Sequence, residues 1–492
     1  MPGAKDRVPT NIERALLGFK APTCDQYSKA KEPPEGKCRR LLVHVTAMIA
    51  DRRFRLSGWC EKVKIKKKAA NPPPYLCSRS KPMRSFSIPA HYRSELIGRL
   101  KAFRKVQDPK KKDMSPTLLD LGAVRFVFAR HFGFCYGVEN AIEISYKAIE
   151  ENPGKRIFLL SQMIHNPEVN ADLESHGLRF VQDTHGQMLM DWNELTADDI
   201  VIIPAFGTTL ETETRLKAIG IDPLKHNTTC PFVEKVWNRS AQLGAKDYTV
   251  VIHGKATHEE TRATFSHTAA GAPAVIVKDM AETEELGRIL LGELPVERFH
   301  ELFGSRCTPG FDPNQDLQRI GVVNQTTMLA TETQAIADHL KQVMIRKYGD
   351  ADLKNHFADT RDTLCYATND NQDATNELLK VEADIALVVG GYNSSNTSHL
   401  AELLEQKFPT YFINGDKELL NAGEIEHFNY PAHKLERTSN WLPTKRPLTI
   451  ILTSGASCPD TLLDRVMLKV LGFVEGVIDP VEAVRLVAQD KP

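Results

Sequence analysis

The sequence predicts an α/β protein built from three αβα units in a pseudo-threefold trefoil, preceded by a basic N-terminal extension. Three observations lead to this prediction. Strand-type and helix-type segments alternate from about residue 121 onward, which indicates parallel sheets covered by helices. The same order of segments recurs three times along the chain. Each recurrence begins with a cysteine that precedes a helical segment.

The charge distribution separates the extension from the rest of the chain. Of 492 residues, 41% are hydrophobic and 26% are charged, which is enough material for about three domains with buried cores. The net charge is zero, but residues 1–120 contain 28 Lys and Arg against 11 Asp and Glu, so the remainder is acidic. An acidic surface disfavours nucleic acid as a partner, and the chain has no apolar run long enough to predict a membrane span. We expect residues 1–122 to be poorly ordered and to carry no chemistry.

Each repeat consists of a cysteine, a helix, a strand and a polar turn. The cysteines are Cys135, Cys230 and Cys365. Helices are predicted at 137–151, 233–243 and 372–381, and strands at 156–160, 248–253 and 385–389. The turns contain His165, His258 and Ser394, which follow the cysteines of their repeats by 30, 28 and 29 residues. This spacing predicts units at 123–229, 230–362 and 363–475, followed by a C-terminal tail at 476–492.

A later strand closes each repeat, and a second polar turn follows that strand. The closing turns are Phe206-Gly207-Thr208, Gln325-Thr326-Thr327 and Gly455-Ala456-Ser457. The middle repeat is longer because of an insertion near residues 282–318, which contains Cys307. Ligand-binding groups of parallel α/β units gather at the carboxyl ends of the strands. We therefore expect the three cysteines and the polar turns to surround one point.

The cysteines indicate a metal centre. Nine cysteines without a C-x-x-C pair, and no export signal, predict reduced thiols in the cytoplasm, or in the plastid stroma of a photosynthetic eukaryote. A helix N-terminus lowers the pKa of a thiol, so the repeats would aim three thiolates at one point. Two centres fit: a zinc ion with a Cys₃His ligand set and an iron–sulfur cluster. A [4Fe–4S] cluster held by three cysteines would leave one iron open for a substrate. We interpret Cys307 as a packing residue.

The polar turns offer hydroxyl, amide and imidazole groups with few fixed charges. Such groups, together with helix N-termini, can hold a phosphate group, although the same residue types also form turns and cap helices. Glu260 is the carboxylate that we expect to carry protons, whereas we expect its neighbour Glu259 to be solvated.

Eight short motifs occur in a fixed order between residues 123 and 475. They are GFCYGV at 133–138, HNP at 165–167, TCP at 229–231, HEET at 258–261, NQTT at 324–327, CYAT at 365–368, NSSN at 393–396 and SGAS at 454–457. In this order they resemble the 4-hydroxy-3-methylbut-2-enyl diphosphate reductases of the non-mevalonate isoprenoid pathway, a family with three αβα domains around a [4Fe–4S] cluster. Phe206, where many members have a histidine, and the insertion resemble the plant and cyanobacterial branch.

The resemblance implies reductive dehydroxylation of (E)-4-hydroxy-3-methylbut-2-enyl diphosphate to isopentenyl and dimethylallyl diphosphates. It implies that Cys135, Cys230 and Cys365 hold one [4Fe–4S] cluster per subunit. It also implies that Glu260 delivers protons and that Thr326 positions the substrate hydroxyl. The implied substrate-binding residues are His165, His258, Gln325, Thr327, Ser394, Ser395, Asn396 and Ser457, and all of these except Gln325 and Thr327 would bind the diphosphate. Electrons would come from a ferredoxin or flavodoxin, since the chain lacks a G-x-G-x-x-G dinucleotide fingerprint.

Two other functions compete with the reductase. A zinc hydrolase would use Cys₃His ligation with Glu260 as its base, and it would be colourless and active with zinc. An iron–sulfur regulator would bind nucleic acid through the basic extension and would lack reductase activity. The reductase interpretation predicts neither a nucleic acid nor a membrane as a partner.

Overall fold

The computed structural model describes residues 86–358, 360 and 363–489. The part of the predicted extension before residue 86 lies outside the described residues. The strands are β1 Thr117–Asp120, β2 Val124–Phe128, β3 Ile157–Leu159, β4 Arg179–Phe180, β5 Ile200–Ile202, β6 Thr249–His253, β7 Ala274–Val277, β8 Ile320–Asn324, β9 Phe357–Ala358, β10 Ile385–Val389, β11 Thr410–Ile413, β12 Leu419–Asn421, β13 Glu424–Asn429, β14 Lys434–Ser439 and β15 Leu448–Ser454. The helices are α1 Glu95–Gln107, α2 Tyr136–Glu151, α3 Pro167–Ser175, α4 Leu210–Ile219, α5 Pro231–Gly244, α6 Glu259–Ala269, α7 Met280–Leu290, α8 Glu297–Phe303, α9 Pro313–Asp316, α10 Ala330–Tyr348, α11 Leu353–His356, α12 Tyr366–Leu378, α13 Ser395–Glu405, α14 Asp460–Leu471 and α15 Pro480–Gln489.

Three sheets share one strand order, which confirms the predicted α/β class. In the first repeat the order is β4-β3-β5, in the second β7-β6-β8-β9, and in the third β11-β10-β15-β2-β1. The closing strand of each repeat, β5, β8 or β15, lies beside the first strand of that repeat and runs parallel to it. The carboxyl ends of these central strands therefore point the same way within each sheet, and the polar turns follow them.

The segment before each cysteine pairs with the closing strand of the preceding repeat. β9, before Cys365, pairs with β8, and Asn227, before Cys230, forms a parallel bridge with Ile203 at the end of β5. β2, before Cys135, pairs with β15 near the other end of the chain. β2, which the predicted boundaries place in the first unit at 123–229, is thus hydrogen-bonded in the sheet of the third repeat. The sequence pattern shows only which segments follow each other, whereas the free edge of β15 decides where β2 is hydrogen-bonded.

Residues 86–122 are folded, contrary to the predicted poorly ordered extension. The hydroxyl of Ser94 caps α1 by accepting a hydrogen bond from the N–H of Ile97 (2.8 Å). The helix packs against α14 and α15, and it buries Ile97 and Leu100 to 1% and 3% exposure. β1 then extends the third sheet as an antiparallel edge strand. The basic composition misled the prediction because α1 needs few apolar positions to dock and pairs two of its basic side chains, Lys101 with Asp460 and Arg104 with Asp113.

Two further regions complete the described part of the chain. The insertion near residues 282–318 forms most of α7 together with α8 and α9, and it packs Leu286, Phe299 and Phe303 into a core with the second sheet. β12, β13 and β14 form a small antiparallel sheet that the sequence did not predict. Among the described residues, no helix is both long and apolar enough to cross a bilayer.

A pair of leucines tests whether residues 86–122 belong to the folded core. We expect Leu100→Ala to lower the free energy of unfolding by about 2–5 kcal/mol, because it leaves a cavity where a buried side chain packed. The control is Leu118→Ala, at a leucine that is 50% exposed, and it should change stability by less than about 0.5 kcal/mol. Denaturant unfolding of both variants measures the difference. Equal small effects would mean that this region is a solvated extension after all.

Candidate active site

One cavity of about 90 Å³ collects all but one of the predicted site residues. They come from all three repeats, although they are far apart along the chain. The predicted residues that line it are Cys135, Cys230, Cys365, His165, His258, Glu260, Thr326, Thr327, Ser394, Ser395, Asn396 and Ser457. The exception is Gln325, which lies behind the wall of the cavity and is described below.

The three cysteines have the same local structure. Each is the N-cap of a helix, Cys135 of α2, Cys230 of α5 and Cys365 of α12. The backbone N–H of each cysteine donates a hydrogen bond to a carbonyl of a closing turn. The pairs are Cys135 to Ala456 (3.1 Å), Cys230 to Ala205 (2.9 Å) and Cys365 to Thr326 (3.3 Å). Each thiol is thereby fixed beside the turn that ends the preceding repeat. For Cys135, in the first repeat, that turn belongs to the third repeat.

Burial opposes ionisation of the three thiols. Burial raises the pKa of Cys230 and of Cys365 to about 12 and also raises the pKa of Cys135. The backbone N–H groups at the helix N-termini lower these pKa values, but burial outweighs them. Binding of a metal centre would release the protons, because metal ligands must be deprotonated.

Three thiols line the cavity, and they come from equivalent positions in the three repeats. Within the part of the chain that the structure describes, no group of three His, Cys, Asp or Glu side chains is arranged to hold a single metal ion. The three thiols are the donors that a metal centre in this cavity would use.

Gly137 lets α2 approach Cys230. A Cβ atom at position 137 would lie 2.7 Å from the sulfur of Cys230 and 4.0 Å from the sulfur of Cys135. The first distance is too short for a real contact between carbon and sulfur. A glycine is thus required where the first turn of this helix passes between two of the thiols.

Glu260 is buried and is held by Thr326. The backbone N–H of Thr326 donates to Oε1 of Glu260 (2.6 Å), and the Thr326 hydroxyl donates to Oε2 (3.0 Å). Burial raises the pKa of Glu260 to about 7, although both hydrogen bonds lower it. The carboxyl is therefore able to give and take a proton near neutral pH.

Glu259 is not solvated, contrary to prediction. It is buried to 6% exposure, accepts a hydrogen bond from the Ser161 hydroxyl, and lies 3.0 Å from Nε2 of His165. Phe206 stacks on the other side of this histidine, with ring centroids 4.2 Å apart. Glu259 was misjudged because its neighbours along the chain are polar, whereas the first turn of α6 lies inside the protein. The carboxylate and the phenyl ring together fix the orientation of His165.

His258 faces the cavity as a neutral imidazole. Burial, together with the nearby His165, Lys255 and Arg262, holds its pKa well below the usual value. Its Nδ1 accepts a hydrogen bond from the backbone N–H of Glu260 (3.2 Å). The ring proton therefore resides on Nε2, which leaves this nitrogen as a hydrogen-bond donor.

The third repeat contributes serines and an unpartnered amide. Ser394 caps α13, and its hydroxyl accepts from the N–H of Thr397 (3.3 Å). Ser457 donates to the backbone carbonyl of His165 (3.1 Å). Asn396 is 3% exposed, and neither its amide oxygen nor its amide nitrogen has a hydrogen-bond partner among the described residues. A buried amide without partners costs free energy unless a ligand satisfies it.

Gln325 supports the wall of the cavity. Its amide nitrogen donates to the hydroxyls of Thr327 (2.8 Å) and Ser395 (3.2 Å), and its oxygen accepts from Thr261 (2.9 Å). Gln325 thus connects the second and third repeats. Residue type alone could not show that this side chain points away from the cavity.

Several lining residues were not predicted as site residues. They are Gly137, Val138, Ile164, Ala205, Phe206, Val233, Thr368 and Ala456. Of these, Thr368 places its hydroxyl 3.0 Å from the sulfur of Cys365 and its N–H 3.2 Å from it. Thr368 lies three residues after the N-cap Cys365, and this spacing could have identified it from the sequence as a partner of the thiol. The apolar members carry no such signal, because they resemble ordinary core residues.

The chain is similar to known proteins in sequence and in fold. The profile of the LytB protein family matches residues 126–471. A 4-hydroxy-3-methylbut-2-enyl diphosphate reductase from Cyanothece sp. is 38% identical over 355 residues, which cover 72% of this chain and 85% of the relative. The reductase of the same name from Synechocystis sp. is 38% identical over 360 residues, 73% of this chain and 92% of the relative. In fold, the chain is similar to the solved E-1-hydroxy-2-methyl-but-2-enyl-4-diphosphate reductase of Plasmodium falciparum, with a TM-score of 0.51, 19% identity, and coverage of 75% of this chain and 98% of that one.

Two helical glycines test the close approach of α2 to the thiols. Gly137→Ala should reduce the iron and sulfide bound after anaerobic reconstitution, because the new Cβ would displace Cys230. The control is Gly98→Ala in α1, where the structure shows no atom within 4 Å of the added Cβ. That substitution should leave the metal content unchanged and stabilise the helix by up to about 1 kcal/mol. Full iron content in Gly137→Ala would contradict the packing described above.

Proposed function

The chain belongs to the LytB family, and we propose on that premise that it removes the hydroxyl group of (E)-4-hydroxy-3-methylbut-2-enyl diphosphate by reduction. It is thus an oxidoreductase of the non-mevalonate isoprenoid pathway. The reaction consumes two electrons and two protons, and it yields water and either isopentenyl or dimethylallyl diphosphate. The single observation that carries the proposal is the cavity in which three thiols, a protonatable carboxyl group and a set of phosphate-type donors meet.

A [4Fe–4S] cluster held by Cys135, Cys230 and Cys365 suits these thiols. The three sulfurs come from equivalent positions in three repeats, and they line one cavity. Three ligands would leave one of the four irons without a protein ligand. When bound, such a cluster supplies electrons and a Lewis-acidic iron for the substrate hydroxyl.

The diphosphate would be bound by neutral donors rather than by lysine or arginine. His258 offers an Nε2 proton, Asn396 offers an unpartnered amide, and Ser394 and Ser395 lie at the N-terminus of α13. Helix N-termini attract anions because their N–H groups and dipoles point toward the ligand. Glu259 and Phe206 would act through His165 by holding its imidazole in place.

Glu260 would supply the proton that the leaving hydroxyl requires. Near pH 7 about half of this carboxyl is protonated, given a pKa of about 7. The Thr326 hydroxyl bonds to Oε2 of Glu260, so Thr326 would align the substrate hydroxyl with the proton donor. Electrons would come from a soluble ferredoxin or flavodoxin.

Substitution of the cysteines tests the cluster assignment. Cys135→Ser, Cys230→Ser and Cys365→Ser should each abolish the broad visible absorption and most of the bound iron and sulfide. Cys307→Ser is the matched control, because Cys307 lies outside the cavity and packs against the core of the second repeat. Anaerobic purification followed by iron and sulfide assays makes the comparison. Full iron and sulfide retention in Cys230→Ser would overturn the assignment.

Substitution of the two neighbouring glutamates separates proton transfer from binding. Glu260→Gln should keep the cluster and bind the substrate but lose turnover by roughly 10²–10⁴-fold, because an amide cannot donate a carboxyl proton. Glu259→Gln should mainly raise the KM for the substrate, since it loosens His165. Steady-state kinetics with a chemical reductant distinguishes the two. Wild-type turnover in Glu260→Gln would show that the proton comes from another group.

The pH dependence of turnover tests the same carboxyl group. Glu260 is protonated below its pKa of about 7 and ionised above it, so kcat of the wild type should fall as the pH rises through this value. The residual kcat of Glu260→Gln should not show this transition. A transition that persists in the variant would assign it to a different group.

A further inference from the structure

A larger cavity, of about 420 Å³, shares Cys135 with the candidate active site. It is bounded by α1, by the loop that follows this helix, and by the first turns of α2 and α12. We call it the basic groove. Its charged lining residues are Arg93, Lys101, Lys105, Lys111, Arg130, Glu139, Asp370 and Asp460.

The basic side chains that line the basic groove outnumber its carboxylates, five to three. Lys101 is paired with Asp460 (2.6 Å), and Arg130 is paired with Asp108 (3.5 Å). Lys105 and Lys111, by contrast, are exposed, and neither forms an ion pair with any residue that the structure describes. The groove therefore presents a positive potential at its open side.

The floor of the basic groove reaches the thiols from outside the substrate cavity. Tyr136 and Tyr366, which directly follow Cys135 and Cys365, both line the groove. Tyr366 is 40% exposed, and Cys135 itself lines the same groove. A redox centre held against this floor would be close to Cys135 without blocking the diphosphate donors.

We propose that the basic groove is the docking site for a one-electron carrier protein with an acidic face. The proposal rests on the function proposed above, because that reduction needs two electrons and the chain carries no dinucleotide fingerprint. Two carriers dock in turn, each loses one electron from its reduced centre, and the two electrons pass inward beside Cys135. Opposite charges on the two faces increase the association rate, and salt weakens this effect.

Charge complementarity favours an acidic partner for the basic groove, because Lys105 and Lys111 are exposed along it.

Charge reversal in the full-length holoenzyme tests the proposal. The test variant is Lys105→Glu/Lys111→Glu, and the control is Lys246→Glu/Lys354→Glu, which makes the same charge change at two exposed lysines outside the groove. Turnover is measured with two reductants, an acidic [2Fe–2S] ferredoxin and dithionite-reduced methyl viologen. In the test variant we expect the KM for ferredoxin to rise by about tenfold or more at low ionic strength, with viologen-driven turnover unchanged. The control should match the wild type with both reductants.

Raising the salt concentration should reduce the difference between the test variant and the wild type, because the attraction is electrostatic. An unchanged KM for ferredoxin would overturn the docking site, and so would an equal loss of viologen-driven turnover, which would indicate a structural role. If a wild-type chain beginning at Phe86 lost only its ferredoxin-driven turnover, the upstream segment would be the docking element instead. A wild-type holoenzyme inactive with both reductants would contradict the proposed function itself.

Discussion

The site depends on the backbone hydrogen bonds that join each of the three cysteines to the closing turn of the preceding repeat. These bonds run from Cys135 to Ala456, from Cys230 to Ala205 and from Cys365 to Thr326. These hydrogen bonds form because the segment before each cysteine pairs in parallel with a closing strand. For Cys135 this pairing is the one between β2 and β15. Because the same backbone hydrogen bond recurs in every repeat, three thiols from distant parts of the chain line one small cavity.

The same burial that gathers the thiols also sets the chemistry of their neighbours. It raises the pKa of Glu260 to about 7, keeps His258 neutral and leaves the amide of Asn396 without a partner. A site built in this way provides hydrogen-bond donors and one exchangeable proton rather than fixed positive charge. Two exposed lysines, Lys105 and Lys111, lie instead along the basic groove, where they would serve a protein partner.

The repeat, the class of fold and most of the cavity lining could be predicted from the sequence, because equivalent residues recur at nearly equal spacing. Three features could not. The position of β2 depends on the free edge of β15, which lies at the far end of the chain. The folding of residues 86–122 depends on a few apolar side chains such as Leu100, which a basic composition conceals. The burial of Glu259 depends on how α6 enters the protein, and its contacts with Ser161 and His165 join segments that the sequence separates widely.

The proposed function requires that three cysteines hold a four-iron cluster in which one iron has no protein ligand and is open to the substrate. Mössbauer spectroscopy of the anaerobically purified wild-type protein tests this most directly, because it reports on each iron environment. A cluster with three cysteine ligands predicts one iron with a signal distinct from the other three. Only that signal should change when (E)-4-hydroxy-3-methylbut-2-enyl diphosphate is added. Four equivalent irons that do not respond to the diphosphate, or a protein that retains zinc and no iron, would contradict it.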